Sequence, residues 1–345
     1  MVEIVPRIGD TAAHKAIRQS DTLVSIVTAF YNEEDAIPAF FAEINHVTAS
    51  LPCRVELVCV DDGSRDGTQS LLRRQLALDP RIKVVDLARN FGKEAALTAG
   101  LAQARGDAVI VLDADLQDPP SVIPQLIAKW REGFDVVYGV RACRGSDSAL
   151  KRWTAQAFYA IFNRLTDVRI PPGAGDFRLM DRRAVDALLS LKERNRFMKG
   201  LFSWIGFKQA GVEFVREARV AGRSHWGYWR LFNFAIDGFT SFSIAPLRLA
   251  SFIGILISVL GFAYAGYLVA RTLFWGVDVP GYASLMVVIT CLGGVQLVCL
   301  GLIGEYLGRL YIEAKGRPLY IIADVHAADA ARAPEEKPVP ENAAA

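Results

Sequence analysis

The chain has 345 residues, 52% of them apolar, with 39 Lys and Arg against 37 Asp and Glu and a formal net charge of +2. That length allows one large domain or two smaller ones, and a charge balance so near neutral gives no case for a protein that binds nucleic acid through its phosphate backbone. The five cysteines (Cys53, Cys59, Cys143, Cys291 and Cys299) form no Cys-x-x-Cys pair and no metal-ligand spacing, so they read as reduced packing residues.

Residues 1–21 form an N-terminal segment of mixed polar and charged residues, without the apolar stretch of a secretory signal. From 22 to 227, short apolar segments alternate with helix-length ones. Strands are expected at 23–29, 55–60, 82–86, 108–112 and 135–139, and helices near 34–50, 66–78, 92–105 and 119–132. This alternation predicts an α/β domain with a mostly parallel sheet and helices on both faces. The strands lack polar alternation, as strands buried on both sides do.

Polar residues gather just after the strands. Tyr31-Asn32-Glu33-Glu34 follows the first, and Asp61-Asp62-Gly63-Ser64-Arg65-Asp66-Gly67-Thr68 the second. Asn90-Phe91-Gly92-Lys93 follows the third, and Asp113-Ala114-Asp115-Leu116-Gln117-Asp118-Pro119-Pro120 the fourth. Asp118 and Pro119 suit the N-cap and first position of the next helix. Open α/β sheets bind ligands at this edge. Two carboxylates and an amide there suit Mg²⁺ or Mn²⁺ shared with phosphate oxygens. Acidic turns are often merely solvated, and Ser64 and Asp66 are good cap candidates. Four such strand ends in succession go beyond that. Glu33 and Asp62 could accept hydrogen bonds from a base N–H or ribose hydroxyls. The absence of Gly-x-Gly-x-x-Gly and of a Walker loop argues against a dinucleotide dehydrogenase or P-loop enzyme.

Tyr-Asn-Glu-Glu, Val-Asp-Asp-Gly-Ser-x-Asp-Gly-Thr and Asp-Ala-Asp-Leu-Gln resemble the family-2 glycosyltransferases of the GT-A fold. Within these the chain is most similar to the polyprenyl-phosphate glycosyltransferases, over roughly residues 22–322. The resemblance implies a GT-A type nucleotide-binding mixed sheet with helices on both faces, followed by two transmembrane helices. It implies that Tyr31, Glu33 and Asp62 hold the base and ribose, and that Asp113 contacts the nucleotide. Asp115 and Gln117 would hold the metal, with Asp115 also counted as catalytic. Ala29, Lys93 and Ala114 join the donor-binding set. Ala29 stands where the family usually has proline, and a contact there would run through the backbone.

Residues 249–269 and 284–304 carry no charge over 21 positions each, long enough to cross a hydrocarbon core of ~30 Å. Arg216, Arg219, Arg223, Arg230 and Arg248 lie upstream, and Arg309, Lys315 and Arg317 downstream. Their excess over the short link predicts two spans in the inner (plasma) membrane, with the catalytic domain and both termini cytoplasmic. Residues 228–248 mix Trp229, Leu231, Phe234, Ile236 and Phe239 with Arg230 and Asp237, as an interfacial helix would, and 151–165 is a second candidate. A two-helix membrane domain is then expected over 249–310, and a cytosolic C-terminal segment with a disordered tail over 311–345.

A nucleotide-sugar site tied to a membrane implies a lipid acceptor. A polyprenyl phosphate, with a second pKa near ~6, is already anionic and needs positioning and charge neutralisation. Arg141, Arg144, Lys151 and Arg152 follow the fifth strand. The resemblance points to Arg141 and Arg152 as acceptor-phosphate ligands. In Pro171-Pro172-Gly173-Ala174-Gly175-Asp176-Phe177-Arg178 the small residues let a backbone pass close to a ligand, with Asp176 the lone carboxylate there. The resemblance places its Asp-Phe-Arg element at the active site. Asp176 would orient a sugar hydroxyl or the acceptor, or serve as a weak base, with orientation favoured. Arg178 would join the phosphate ligands. Arg223-Ser224-His225-Trp226 matches a family segment that more often has Lys at position 225, and a neutral His helps a phosphate less. Glu305 and Arg309 are spaced to pair on a helix.

The expected activity is inverting, metal-dependent transfer of a hexose from a nucleotide sugar, with UDP-glucose favoured, to undecaprenyl phosphate. Mg²⁺ or Mn²⁺ is the cofactor. The partners are the nucleotide sugar, undecaprenyl phosphate and the bilayer, with homo-oligomerisation left open. Alternatives are another sugar (mannose, N-acetylglucosamine, 4-amino-arabinose) or a processive polysaccharide synthase. The synthase is disfavoured by two spans and a missing Gln-x-x-Arg-Trp signature. A non-catalytic membrane scaffold or flippase accessory should have lost Asp113, Asp115 and Gln117.

Overall fold

A computed structural model of the chain describes residue 18 and residues 22–141, 166, 171, 173–194, 196–215, 245–275 and 281–328. The first half alternates β1 (Leu23–Phe30), α1 (Ile37–Thr48), β2 (Arg54–Asp61), α2 (Thr68–Leu78), β3 (Ile82–Leu87), α3 (Lys93–Gln103), β4 (Ala108–Val111), α4 (Ile123–Arg131) and β5 (Val136–Arg141). Then come β6 (Ala174–Asp181), α5 (Arg182–Ser190), α6 (Met198–Trp204) and β7 (Gln209–Phe214). Two long helices, α7 (Ala245–Trp275) and α8 (Tyr282–Ala314), precede a last strand, β8 (Ile322–Ala327).

All eight strands join one sheet in the order β7-β5-β6-β4-β1-β2-β3-β8. Strands β1 to β4 are parallel neighbours, as βαβ crossovers require. The sheet as a whole is mixed: β6 runs antiparallel between β4 and β5, and β8 runs antiparallel to β3. Three strands, β6, β7 and β8, go beyond the five expected from the sequence. The segment ending in Asp176 and Arg178 runs into a buried strand, β6. The segment after the apolar helices returns as an edge strand before any tail begins, and the tail itself lies outside the described residues.

Alternating side chains build a core on each face. Val24, Ile26 and Phe30 of β1 pack with Ile37, Phe40 and Ile44 of α1, Leu72 of α2, and Ile123, Leu126 and Trp130 of α4. Val27, Val58, Val60 and Val85 pack on the other side with Ala96, Leu97 and Leu101 of α3, Val185 and Leu188 of α5, and Leu201 and Phe202 of α6. Helix α3 lies so close to the sheet that a Cβ at Gly100 would come within 2.4 Å of Val27 Cγ1. That close seat fixes the helix whose first residue is Lys93. Asp118 is not the N-cap expected of it: a 3₁₀ turn, Pro120–Val122, precedes α4, with Pro119 in the cap position. Cys53, Cys59, Cys291 and Cys299 are free thiols; Cys59 is buried in the core as a packing residue, whereas Cys291 is exposed.

Arg18 closes the sheet end opposite the ligand edge. Its guanidinium is 2% exposed and donates to Asp135 (2.7 Å), Asp181 (2.9 Å) and the Trp130 carbonyl (3.0 Å). Trp130 Nε1 donates to the same Asp181 oxygen at 2.9 Å. Arg18→Ala removes one of the two cations on Asp181 and Asp135, with Arg183 remaining at 3.2 and 2.8 Å. The expected loss of stability is about 1.5–3 kcal/mol, that of a hydrogen bond between charged groups, read by denaturant unfolding in detergent, with Arg18→Lys recovering part of it. An unchanged midpoint would contradict this role.

Helices α7 and α8, of 31 and 33 residues, would extend about 45–50 Å at 1.5 Å per residue. Among the described residues one segment, Cys291–Ala314, is 24 residues long and apolar enough to cross a membrane. In α7 the apolar stretch is the shorter Ala250–Tyr264. Residues 245–248, expected in an interfacial helix, belong to α7, and α8 runs four residues past the expected end of the membrane domain. Arg309 donates to Glu305 at 2.8 Å, the pairing their spacing suggested. The interfacial candidates at 151–165 and 228–244, and Cys143, lie outside the described residues.

Candidate active site

The parallel strands β1, β2 and β4 and the turn after β3 end on one rim, where backbone bonds join the loops. Asn32 N–H donates to Ser64 Oγ (3.0 Å), Arg65 N–H to Asn32 Oδ1 (2.8 Å), Glu33 N–H to Thr68 Oγ1 (2.9 Å) and Gly67 N–H to Glu34 Oε2 (2.7 Å). Asp66 takes the Thr68 N–H at 3.0 Å, satisfying an early donor of α2 from one residue before its N-cap, Gly67. Ser64 instead accepts from Asn32. Gly63 sits at φ +67°, and a Cβ there would lie 2.5 Å from the Arg89 carbonyl carbon. Only glycine fits that turn.

Asp62 accepts Phe91 N–H at 2.7 Å and Gly92 N–H at 2.9 Å, one on each oxygen. Burial pushes its carboxyl up, against the pull of those two donors. This carboxylate straps the loop after β3 to the end of β2 and so sets where α3 begins. Tyr31 is 42% exposed on the rim, and Ala29 lies half-buried beside it on β1.

Lys93 is the centre of the site. Its ammonium lies 2.8 Å from Asp113 Oδ1 and 2.8 Å from Asp176 Oδ2, and the side chain as a whole is 44% exposed. The pairing of β4 with β6 explains the meeting: Val111 lies opposite Arg178, so the antiparallel register carries Asp113 and Asp176 to the same end. Burial alone would raise the Asp176 carboxyl, but the charges of Lys93, Lys199 and Arg178 hold it well below the ordinary carboxylate range. The two carboxylates, burial notwithstanding, push the Lys93 ammonium up. Lys93 thus joins the carboxylates of Asp113 and Asp176 across the end of β4 and β6.

Next to it, Gln117 N–H donates to Asp115 Oδ1 at 3.2 Å, and the intervening Leu116 is held at φ +55°. A left-handed conformation is costly for leucine and marks stored strain at a turn. Gln117 Oε1 is buried and takes no hydrogen bond among the described residues. A hard amide oxygen with no donor, beside a carboxylate in a tight turn, fits a divalent cation completed by phosphate oxygens. Among the described residues no group of three or more His, Cys, Asp or Glu could hold an ion by itself, so any such ion would need ligands from a substrate. Ala114 is buried in the same turn.

The arginines divide. Arg141 Nη2 lies 3.4 Å from Asp118 Oδ1, at the edge of the site. Arg178 is 3% exposed, donates to the carbonyls of Gly175 and Asp176, and lies over the Phe202 ring at 3.6 Å. In this structure it braces the Asp176 backbone from below, and does not present its guanidinium to the rim as a phosphate ligand would. Arg144, Lys151, Arg152 and the segment 223–226 lie outside the described residues. The sequence reading missed Glu94 and Lys199, whose charges act on Asp176 or its neighbours. Glu94 reads as an ordinary acidic residue in a first helical turn, so no signal marked it.

The alternating βαβ domain, with an acidic turn, an ordered carboxylate and a Lys bridge at its strand ends, has the GT-A-like mixed sheet of a glycosyltransferase. Residues 25–189 match glycosyl transferase family 2, and residues 245–310 match the GtrB C-terminal hairpin. The chain belongs to glycosyl transferase family 2. It is 52% identical over 302 residues to an uncharacterised glycosyltransferase of Synechocystis, covering 88% of this chain and 95% of that one. It is 47% identical over 303 residues to the bactoprenol glucosyl transferase of Shigella phage SfII, covering 88% and 98%. Among solved structures it is similar to a mannosyltransferase of Pyrobaculum calidifontis in complex with GDP-Man and Mn²⁺, at a TM-score of 0.47 and 17% identity, covering 86% and 87%.

Proposed function

We propose that the protein is an inverting glycosyltransferase that moves a hexose, glucose from UDP-glucose, to undecaprenyl phosphate at the cytoplasmic face of the inner membrane. The relative that is named a bactoprenol glucosyl transferase supports this reading along most of the chain. The observation that carries the lipid acceptor is the tie between the apolar helices and the catalytic sheet. Phe252, Leu260, Leu297 and Val298 are each 60% exposed or more, an apolar surface too large for a soluble monomer. Immediately after α8, strand β8 pairs with β3, and Glu313 Oε1 accepts the Arg194 N–H at 2.8 Å.

On this reading residues 22–227 are the catalytic domain, α7 and α8 are two spans joined by a short outer link, and both termini are cytoplasmic. Tyr31, Glu33 and Asp62 flank the base and ribose, with Ala29 and Ala114 lending backbone. Asp115 and Gln117 would hold Mg²⁺ or Mn²⁺, which supplies charge neutralisation for the departing nucleoside diphosphate. Lys93 is placed to exchange Asp113 for a donor phosphate. An acceptor phosphate oxygen attacks C1, and the bond from C1 to the diphosphate breaks with its electron pair leaving on the diphosphate. The nucleophile is already ionised, so Asp176 orients and does not deprotonate. Arg141 and Arg152 complete the acceptor side, and Arg178 acts there through Asp176.

Purified protein in detergent should release UDP from UDP-glucose only when a polyprenyl phosphate is added. Release that ignores the lipid would refute the acceptor. A reporter active only in the periplasm should be active when fused within residues 277–282 and silent at the C-terminus. The opposite pattern would put the nucleotide site outside the cell and remove the reading.

A further inference from the structure

Helix α3 starts at Lys93 without a side-chain cap, since its N-cap is Gly92. Its first turn therefore depends on ties from outside. Asp62 supplies one, through the N–H groups of Phe91 and Gly92. A second comes from the connection between α5 and α6. Arg196 there uses each of its three nitrogens: Nε donates to the Glu193 carbonyl (3.1 Å), Nη2 to the Leu191 carbonyl (2.6 Å) and Nη1, at the longest distance, to Thr98 Oγ1 on α3 (3.4 Å). Thr98 is 3% exposed and donates its own proton to the Glu94 carbonyl at 2.7 Å, which leaves its oxygen to accept from Arg196. The end of α8 holds the same connection from the other side, where Glu313 Oε1 accepts the Arg194 N–H at 2.8 Å.

We propose that Arg196 is a positioning residue for Lys93: it fastens the α5–α6 connection, which α8 holds, to the first turns of α3, and so fixes where the Lys93 ammonium meets Asp113 and Asp176. The planar fork of arginine reaches two carbonyls and a hydroxyl at once, whereas lysine offers a single nitrogen. Placement on α3 gives the contact its leverage. Thr98 lies one turn past Glu94, so a shift of its hydroxyl moves the carbonyl next to Lys93. The Lys93 bridge measures 2.8 Å on both sides, and a displacement of about 1 Å at such a site can cost up to ~100-fold in rate.

Hydrogen exchange tests the tie without substrate. Ala95 and Ala96 N–H donate to the Gly92 carbonyl at 3.1 and 3.0 Å, so their exchange reports opening of the first turn. Arg196→Met should speed it roughly tenfold, Arg196→Lys less, and Glu313→Ala in the same direction. Thr98→Val added to Arg196→Met should bring little further change, because the two variants remove one contact. A rise shared equally by Val58 and Val84 in the sheet would be general loosening and would overturn the role, as would additive effects in the double variant. The kinetic arm rests on the transferase reading. Arg196→Met should lower kcat roughly 10- to 100-fold, more at about pH 5.5 than at about pH 8, because a displaced Lys93 no longer holds Asp176 ionised. Arg196→Lys should recover part of the loss. An equal loss at every pH overturns the role. The expected exchange pattern without any transfer to polyprenyl phosphate would uphold it and refute the acceptor.

Discussion

Asp115→Ala is expected to lower sugar transfer by more than ~100-fold, the loss that follows removal of a charge clamp felt most strongly in the transition state. On the proposed function the leaving group is a nucleoside diphosphate whose charge grows as the bond to C1 breaks. Asp115 and Gln117 are the hard oxygen groups in the strained turn beside it, and Gln117 Oε1 has no donor of its own among the described residues. EDTA should abolish transfer by the wild type, and added Mn²⁺ or Mg²⁺ should restore it. Gln117→Ala should be milder and show a higher metal requirement. Full activity in EDTA would end the metal assignment, and a small effect of Asp115→Ala with metal still required would move the ligand elsewhere.

Lys93→Met is expected to cost ~100-fold or more in kcat, since it removes the cation placed between donor and acceptor sides. It also leaves Asp113 and Asp176 facing one another across the space that the ammonium bridges at 2.8 Å. Burial raises Asp176, and Lys93 is the foremost charge opposing that rise. In the wild type Asp176 therefore stays ionised through pH 5.5–9, and the acidic limb belongs to the acceptor, whose phosphate has a second pKa near ~6. In Lys93→Met the Asp176 carboxyl climbs, so activity should gain a further acidic limb and recover as pH rises. Asp176→Asn should be slow with the wild-type profile shape. A wild-type acidic limb distinct from the acceptor's, lost in Asp176→Asn, would make Asp176 a base and displace the orienting role.

The parallel half of the fold was legible because each element carried its own signal. Strands β1 to β4 are short runs of buried β-branched residues, each followed by turn residues and a helix-length segment. Strand β6 was hidden. Phe177 and Leu179 face one core and Met180 the other, but Asp176 and Arg178 occupy the alternating positions, and Pro and Gly precede them. Buried charge at strand period looks like a loop until its partners, Lys93 and Phe202, are known. The last strand was missed for the opposite reason, since β8 is an exposed edge whose Asp324 and His326 resemble a polar tail. The rim motifs identified the right neighbourhood. They did not separate residues that could meet ligand from those that tie loops together, because Asp62 and Glu34 earn their places through backbone N–H groups distant in sequence. Arg18 and Glu94 depend wholly on tertiary contacts. Arg178, expected as a phosphate ligand, lies under the site because its carbonyl partners are on its own strand.

Incubating the purified protein with undecaprenyl phosphate, Mn²⁺ and each of a panel of radiolabelled nucleotide sugars tests the central claim most directly. The account predicts that label from UDP-glucose moves into a solvent-extractable lipid, that mild acid releases glucose from it, and that product forms in step with free UDP. Asp115→Ala, run alongside, should yield almost none. Label that stays water-soluble with every donor, or that enters lipid from UDP-glucose as readily with Asp115→Ala as with the wild type, would contradict it.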